Sequence, residues 1–172
     1  SAGCWNIFYG FETGNQEILD RIKKGATLEQ AETAANWTHK AGMDTRGSFM
    51  IALPGETPAK AMNTVRFAIK MDLTFAQFLP VYPEPGTELY VDALEHGKIE
   101  RHVKYEGRSK AVYIPETYKD AKEIELTVRK AYRKFYYRPR YFLKHIMRIK
   151  SFKSLKNYFR AFRFIKGITR GG

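Results

Sequence analysis

Parallel β-strands alternating with helices, followed by a basic helical region, are what this sequence predicts. The first ground is Gly47-Ser-Phe-Met-Ile-Ala-Leu-Pro-Gly-Glu-Thr57. A buried apolar strand there runs into a tight turn at Leu53-Pro54-Gly55, and a helix opens behind it with Thr57 as N-cap and Pro58 at its first position. The second ground is repetition: Asn6–Asn15 and Leu73–Thr87 follow the same strand, turn and helix order. Such alternation favours a parallel sheet with right-handed crossovers. The third is charge. Residues 1–125 carry 15 Lys+Arg and all 18 Asp+Glu, net −3, whereas residues 126–172 carry 15 Lys+Arg and no acid, net +15.

Taken in order, Asn6-Ile-Phe-Tyr-Gly-Phe11 is a short strand. Asn15 caps a helix with Ile18, Leu19 and Ile22 on one face. Lys23 and Lys24 occupy its last turn, where the dipole favours cations, and Gly25 ends it. Thr27-Leu-Glu-Gln30 has capping-box spacing, and the helix it opens buries Ala31, Ala34, Ala35 and Thr38 before Gly42 stops it. The central strand covers about Arg46–Ala52. The helix after Thr57 shows Ala61, Met62, Val65, Ala68 and Ile69 at i, i+3, i+4 spacing. A third strand, about Thr74–Leu79, ends at Pro80.

Tyr82-Pro-Glu-Pro-Gly86 is a rigid turn-rich loop, and Thr87 caps a short helix that Gly97 closes. The stretch from Ile99 to Ile114 has no clear period; a hairpin about Glu106-Gly107 is one reading. Thr117 starts a longer helix with Ala121, Ile124, Val128, Ala131, Tyr132 and Phe135 on one face, and Pro139 breaks it. Two basic helical stretches follow, Tyr141–Ile149 and Phe152–Ile165, the second capped by Ser151. The expected organisation is an α/β unit over residues 1–97 and a mostly helical, basic region over 98–172.

At 172 residues, with 44% apolar residues, the chain is long enough to bury a core and too apolar for disorder. Cys4 alone excludes a disulfide framework and points to a reducing, cytoplasmic setting. No apolar run approaches the roughly 18–20 residues of a membrane span. His39, His96, His102 and His145 lack metal-ligand spacing, so no metal site is expected.

If the strands are parallel, the segments leaving their carboxyl ends share one rim, where such folds bind ligands. Those segments are Glu12-Thr13-Gly14, Leu53-Pro54-Gly55-Glu56 and Pro80-Val81-Tyr82. Each joins a backbone opened by Gly or fixed by Pro to a polar group beside a helix N-terminus. That suits a nucleoside-like ligand, with a carboxylate for the ribose hydroxyls and apolar strand ends for a base. Equally, Glu12 and Glu56 can simply complement helix dipoles. Both readings stand on spacing alone.

Gly10-Phe-Glu-Thr-Gly-Asn15, then Lys23-Lys24-Gly25, the Gly47–Thr57 stretch, Ala76-Gln-Phe78 and Pro83-Glu-Pro-Gly-Thr-Glu-Leu-Tyr90 together resemble radical S-adenosylmethionine enzymes. The subgroup with a cobalamin-binding domain is the nearest in pattern. It includes anaerobic magnesium-protoporphyrin IX monomethyl ester oxidative cyclases and cobalamin-dependent methyltransferases. Phe135-Tyr-Tyr-Arg-Pro-Arg-Tyr141 resembles that subgroup's helical tail. The resemblance implies a partial (β/α) barrel and a set of nucleoside contacts. Glu12, Thr13 and Gly14 fall where the fourth strand meets the ribose. Gly47, Ile51, Ala52, Leu53 and Pro54 belong to the fifth strand, which flanks adenine, and Gln77 and Phe78 to the sixth. Ala52 stands where the family usually has Gly, which would crowd backbone approach.

The implied cofactors are S-adenosylmethionine, a 4Fe–4S cluster and cobalamin. The cluster needs a CxxxCxxC loop, which Cys4 cannot replace. The expectation is therefore the C-terminal half of a larger enzyme, inactive by itself, with no catalytic residue of its own and no cofactor bound to it. Its partners would be the N-terminal half of the same polypeptide and, through the edge left open at Asn6–Phe11, a second copy. The tail interleaves Lys and Arg with aromatics, as in Phe152, Leu155, Phe159, Phe162 and Ile165. That pattern fits an apolar face packed on protein or an interfacial helix on anionic lipid, giving peripheral membrane contact. Nucleic acid is disfavoured because no binding motif accompanies the charge. The competing reading is a non-catalytic α/β module whose tail docks on a membrane or partner.

Overall fold

The computed structural model describes residues 3–100 and 110–146, together with Arg163 and Gly167. Strands β1 (Asn6–Glu12), β2 (Asp44–Ile51) and β3 (Phe75–Pro80) form one sheet in the order β1-β2-β3, parallel throughout. Helices α1 (Gln16–Arg21) and α2 (Leu28–Lys40) connect β1 to β2, and α3 (Pro58–Lys70) connects β2 to β3. Beyond β3 come α4 (Glu88–Glu95), a short antiparallel pair β4 (Gly97–Ile99) and β5 (Tyr113–Pro115), then α5 (Ala121–Tyr136) and α6 (Pro139–Ile146). This is the α/β alternation expected.

The helix starts follow their capping chemistry. The Thr27 side chain accepts from Gln30 N and the Gln30 side chain accepts from Thr27 N, a complete capping box. Thr57 accepts from Lys60 N, with Pro58 at N1, and Thr87 accepts from Tyr90 N. Four expectations need correction. Asn15 occupies the N-cap position but its side chain makes no cap bond; its Nδ2 instead donates to Thr13 Oγ1 and to Lys60 O on α3, both at 3.0 Å. α1 ends at Arg21, so Lys23 and Lys24 lie past its last turn. Gly97 opens β4 rather than simply ending α4. The long helix is capped not by Thr117 but by Asp120, which accepts from Glu123 N at 2.8 Å, because the Thr117 hydroxyl is taken by Glu56 O. Pro139 does end one helix and also begins the next, fitting its missing N–H. The β4–β5 pairing fits the hairpin reading, but its turn, like residues 147–162 and 164–166 of the expected basic helical region, lies outside the described residues.

The core lies between the sheet and α2, α3 and α5. Odd-numbered β2 residues Thr45, Gly47, Phe49 and Ile51 point into it and are buried. Rings stack along β1, Tyr9 on Phe11 at 5.1 Å, and then across the strands, Phe11 on Phe49 at 5.8 Å and Phe49 on Phe78 at 5.5 Å. Tyr132 and Phe135 of α5 then meet Phe78 edge-on. Each such buried aromatic contributes roughly 1.5–3 kcal/mol, so this ladder fixes strand register and seats α5 together.

α5 and α6 also finish the β3 edge. The Tyr136 hydroxyl accepts from Ala76 N at 3.0 Å and donates to Ala76 O at 2.7 Å. The Tyr132 hydroxyl accepts from Phe78 N, and the Tyr141 hydroxyl donates to Thr74 O. Backbone groups that would otherwise need another strand are thus satisfied by phenols.

Candidate functional site

Parallel register sets residues of the three strands side by side on the face away from the helices. Phe8, Arg46 and Phe75 make one row, and Gly10, Ser48 and Gln77 the next toward the carboxyl ends. In the first row the Arg46 guanidinium sits 5.8 Å from both ring centroids. The second row holds small and polar groups with an approachable backbone.

Glu12 closes this row from above. A bulge between Gly10 and Glu12, with Glu12 at φ 63°, bends the chain so that its carboxylate folds back over Gly10. A Cβ at position 10 would come within 2.6 Å of Glu12 Oε1, so a side chain there would push the carboxylate aside. Lys24, leaving α1, meets the same oxygen at 2.7 Å. Between the two readings of Glu12, the geometry sets its carboxylate over the strand face, paired with Lys24.

The other expected site residues divide by face. Gln77 stands on the open face. Phe78 and Gly47 point the opposite way: Phe78 is fully buried under α5, and a Cβ on Gly47 would strike Leu73 Cδ1 at 2.7 Å and Phe11 Cδ2 at 2.9 Å. Both pack on the helix-covered side of the sheet. Gly14 is likewise fixed by packing, since a Cβ there would meet Phe67 Cβ at 2.6 Å and Thr64 Cα at 2.8 Å of α3. Thr13 is buried, its hydroxyl 3.0 Å from that of Thr64. Ile51, Ala52, Leu53 and Pro54 are buried at the end of β2 and form the outgoing turn itself.

That turn has an unusual backbone and an unusual carboxyl. Ala52 holds φ 69°, a left-handed conformation costing an L-residue roughly 1–2 kcal/mol. A glycine would be free of that cost. The conformation turns Ala52 N toward Glu56 Oε2, 2.7 Å away. Glu56 is wholly buried. Desolvation pushes its carboxyl up to about 8, against the opposing pull of the Ala52 and Leu53 amides, the Thr13 hydroxyl and Lys60. It therefore serves as more than a complement to the α3 dipole.

A second apolar cluster, Ile18, Leu53, Val81, Ala93 and Tyr113, covers the carboxyl end of the sheet. Arg21 straps it down by a two-pronged bond to Asp92, Nη2 to Oδ1 at 2.8 Å and Nε to Oδ2 at 3.2 Å. The guanidinium passes over Gly55 so closely that a Cβ there would lie 2.7 Å from Nη1. The pair holds Asp92 below its ordinary range, chiefly through the Arg21 hydrogen bond.

Sequence reasoning missed Ser48 and Arg46 as open-face residues, Gly10 as the floor beneath Glu12, and Lys24 as its counter-ion. Strict strand alternation was the signal for the first two. The last two depended on a bulge that no residue pattern announces.

Hydrogen-bonding groups for a nucleoside are thus present in Glu12, Ser48 and Gln77. A 4Fe–4S cluster does not fit this chain's own donors. Cys4 is its one cysteine, exposed, with Sγ against Asn6 O, and the described residues contain no group of three metal-ligating side chains. No helix among the described residues is long and apolar enough to cross a membrane.

Comparison with known proteins points the same way. Residues 1–68 match the family model described as the Radical SAM superfamily. The chain is 32% identical over 150 residues, 84% of its length, to an uncharacterised methyltransferase of Pyrococcus horikoshii, and covers 32% of that protein. It is 34% identical over 83 residues, 48% of its length, to a protein of Methanocaldococcus jannaschii carrying the name of a methylthiotransferase, and covers 18% of it. The chain thus spans about a third or less of the curated relatives it matches. With β1, α1, α2, β2 and most of α3 inside the matched segment, residues 1–68 are similar to the Radical SAM superfamily.

Proposed function

We propose that this chain is the nucleoside-holding part of a longer radical S-adenosylmethionine enzyme of methyltransferase type. The observation that carries the reading is the row Gly10, Ser48 and Gln77 beneath the Glu12 carboxylate, on the face left free by the helices. Glu12 and Gln77 offer acceptors and a donor for ribose and base, and Ser48 a hydroxyl beside them. The outgoing turn from Ala52 to Pro54 borders the same end of the sheet. When bound, S-adenosylmethionine is the source of the radical and of the transferable group in this chemistry. The chain's own residues bind and orient it. The cluster that cleaves it requires thiolates beyond Cys4, so the chain is inactive alone.

Cobalamin dependence, and an oxidative-cyclase reaction in place of methyl transfer, are finer forms of the same proposal. So are a cytoplasmic location, peripheral membrane contact through the basic region and self-association through β1. The similarity to a named methyltransferase favours methyl transfer over cyclisation.

The test is ligand-induced amide shift mapping with adenosine and with S-adenosylmethionine on the full chain. Shifts at Gly10, Glu12, Ser48 and Gln77 are expected, and Gly10→Val should abolish them while β2 and β3 resonances remain dispersed. Shifts confined to the basic region would defeat the reading.

A further inference from the structure

Arg46 puts a fixed cation on the open face of the sheet with no anion opposite it. The residue is exposed on β2, two positions before Ser48 on the same face. Its guanidinium lies between the rings of Phe8 and Phe75, 5.8 Å from each centroid. The rings hold the charge in place electrostatically but leave its N–H donors unused. Among the described residues the guanidinium has no carboxylate partner and donates no hydrogen bond. The one acid of β2, Asp44, accepts instead from Thr74 Oγ1 at 3.2 Å. A planar fork of free donors, seated between apolar rings, matches the geometry of a carboxylate better than that of any other common group.

We propose that Arg46, with Phe8 and Phe75 beside it, anchors a substrate that carries a carboxylate on a flat apolar body. The guanidinium takes the carboxylate and the two rings take the apolar surface next to it. That the bound molecule is the substrate rests on the nucleoside reading above; that the site takes a carboxylate does not. Strand geometry adds a length. At about 3.3 Å per residue, the Phe8, Arg46 and Phe75 row lies about 7 Å from the Gly10, Ser48 and Gln77 row, on the amino-terminal side. A substrate that reaches the nucleoside row from this anchor therefore bridges that gap with its apolar body.

The test maps shifts of backbone amides and of the Arg46 Nε–H group on the full chain, with benzoate, its uncharged analogue benzamide, and adenosine as probes. Benzoate should move Arg46 Nε–H together with the amides of Phe8, Arg46 and Phe75, and benzamide should bind the same place about tenfold more weakly. Arg46→Gln changes an exposed side chain and leaves the strand's backbone pairing intact. It should weaken benzoate by about tenfold and leave benzamide unchanged. Equal binding of the two probes overturns the proposal, as do benzoate shifts centred on Arg133 and Lys134 of α5. Saturation with S-adenosylmethionine beforehand should leave the benzoate shifts in place. Displacement of benzoate would give Arg46 to the carboxylate of S-adenosylmethionine and overturn the substrate assignment. Benzoate shifts at Arg46 without adenosine shifts at Gly10, Ser48 and Gln77 would sink the nucleoside reading and keep the carboxylate site; adenosine shifts without benzoate shifts would do the reverse.

Discussion

The two margins of this sheet are finished in opposite ways. At β3, three tyrosine hydroxyls from α5 and α6 occupy backbone groups of Thr74, Ala76 and Phe78. At β1, the strand has β2 on one side and, among the described residues, no strand on the other. Phe8 on β1 is 55% exposed, whereas Phe78 on β3 has no exposure. A covered margin stabilises the unit by itself, and an uncovered one is a surface that invites another strand. The stable half and the receptive half of this molecule are therefore different strands.

Substitutions can break that contrast, and the largest effect is expected on the covered side. Phe135→Ala removes the ring that seats α5 on Phe78 and should cost about 3–5 kcal/mol in urea unfolding. The pH dependence of stability comes next. An ordinary glutamate loses its proton near 4.5, but Glu56 holds its own to about 8 in the folded chain. Across that window the folded state binds the extra proton. Its contribution is therefore full below about 4.5, falls by up to about 1.4 kcal/mol per pH unit as pH rises toward 8, and is flat above. Glu56→Gln should lack this slope, so the stability difference between the two proteins should change with pH across that window, measured by unfolding at a series of pH values.

Tyr136→Phe tests the phenol cap directly. It leaves the buried Ala76 N–H without its acceptor and should cost about 1–3 kcal/mol. On the open side, Phe8→Lys should change stability by less than about 0.5 kcal/mol yet abolish concentration-dependent association in sedimentation, since a charged edge resists pairing. Association that survives this change would place the self-contact away from β1. The smallest effect is Ala52→Gly: relief of the left-handed cost is offset by a lost buried methyl and by backbone entropy, for a net change below about 1 kcal/mol.

How much of this was legible beforehand follows from which forces are local. The strands, their parallel order and most helix starts rest on periodicity and capping within a few residues, as at Thr27, Thr57 and Thr87. The apolar stripe of α5 was equally plain from Ala121 to Phe135. The faces on which the site residues stand needed the register as well. Gln77 and Phe78 are neighbours in sequence but stand on opposite faces, and family position could not separate them without the register. Gly14 and Gly47 suggested ligand approach, but each answers to a packing neighbour dozens of residues away. Thr117 had the right chemistry for a cap and was claimed instead by Glu56, sixty-one positions earlier.

The tyrosine hydroxyls on β3 also give the sheet a direction of growth. Phenols that fill one margin act as a stopper, so a further strand would be admitted past β1 and not past β3. A strand added past β1 would lengthen two rows of the open face, Phe8, Arg46 and Phe75 at one level and Gly10, Ser48 and Gln77 at the next.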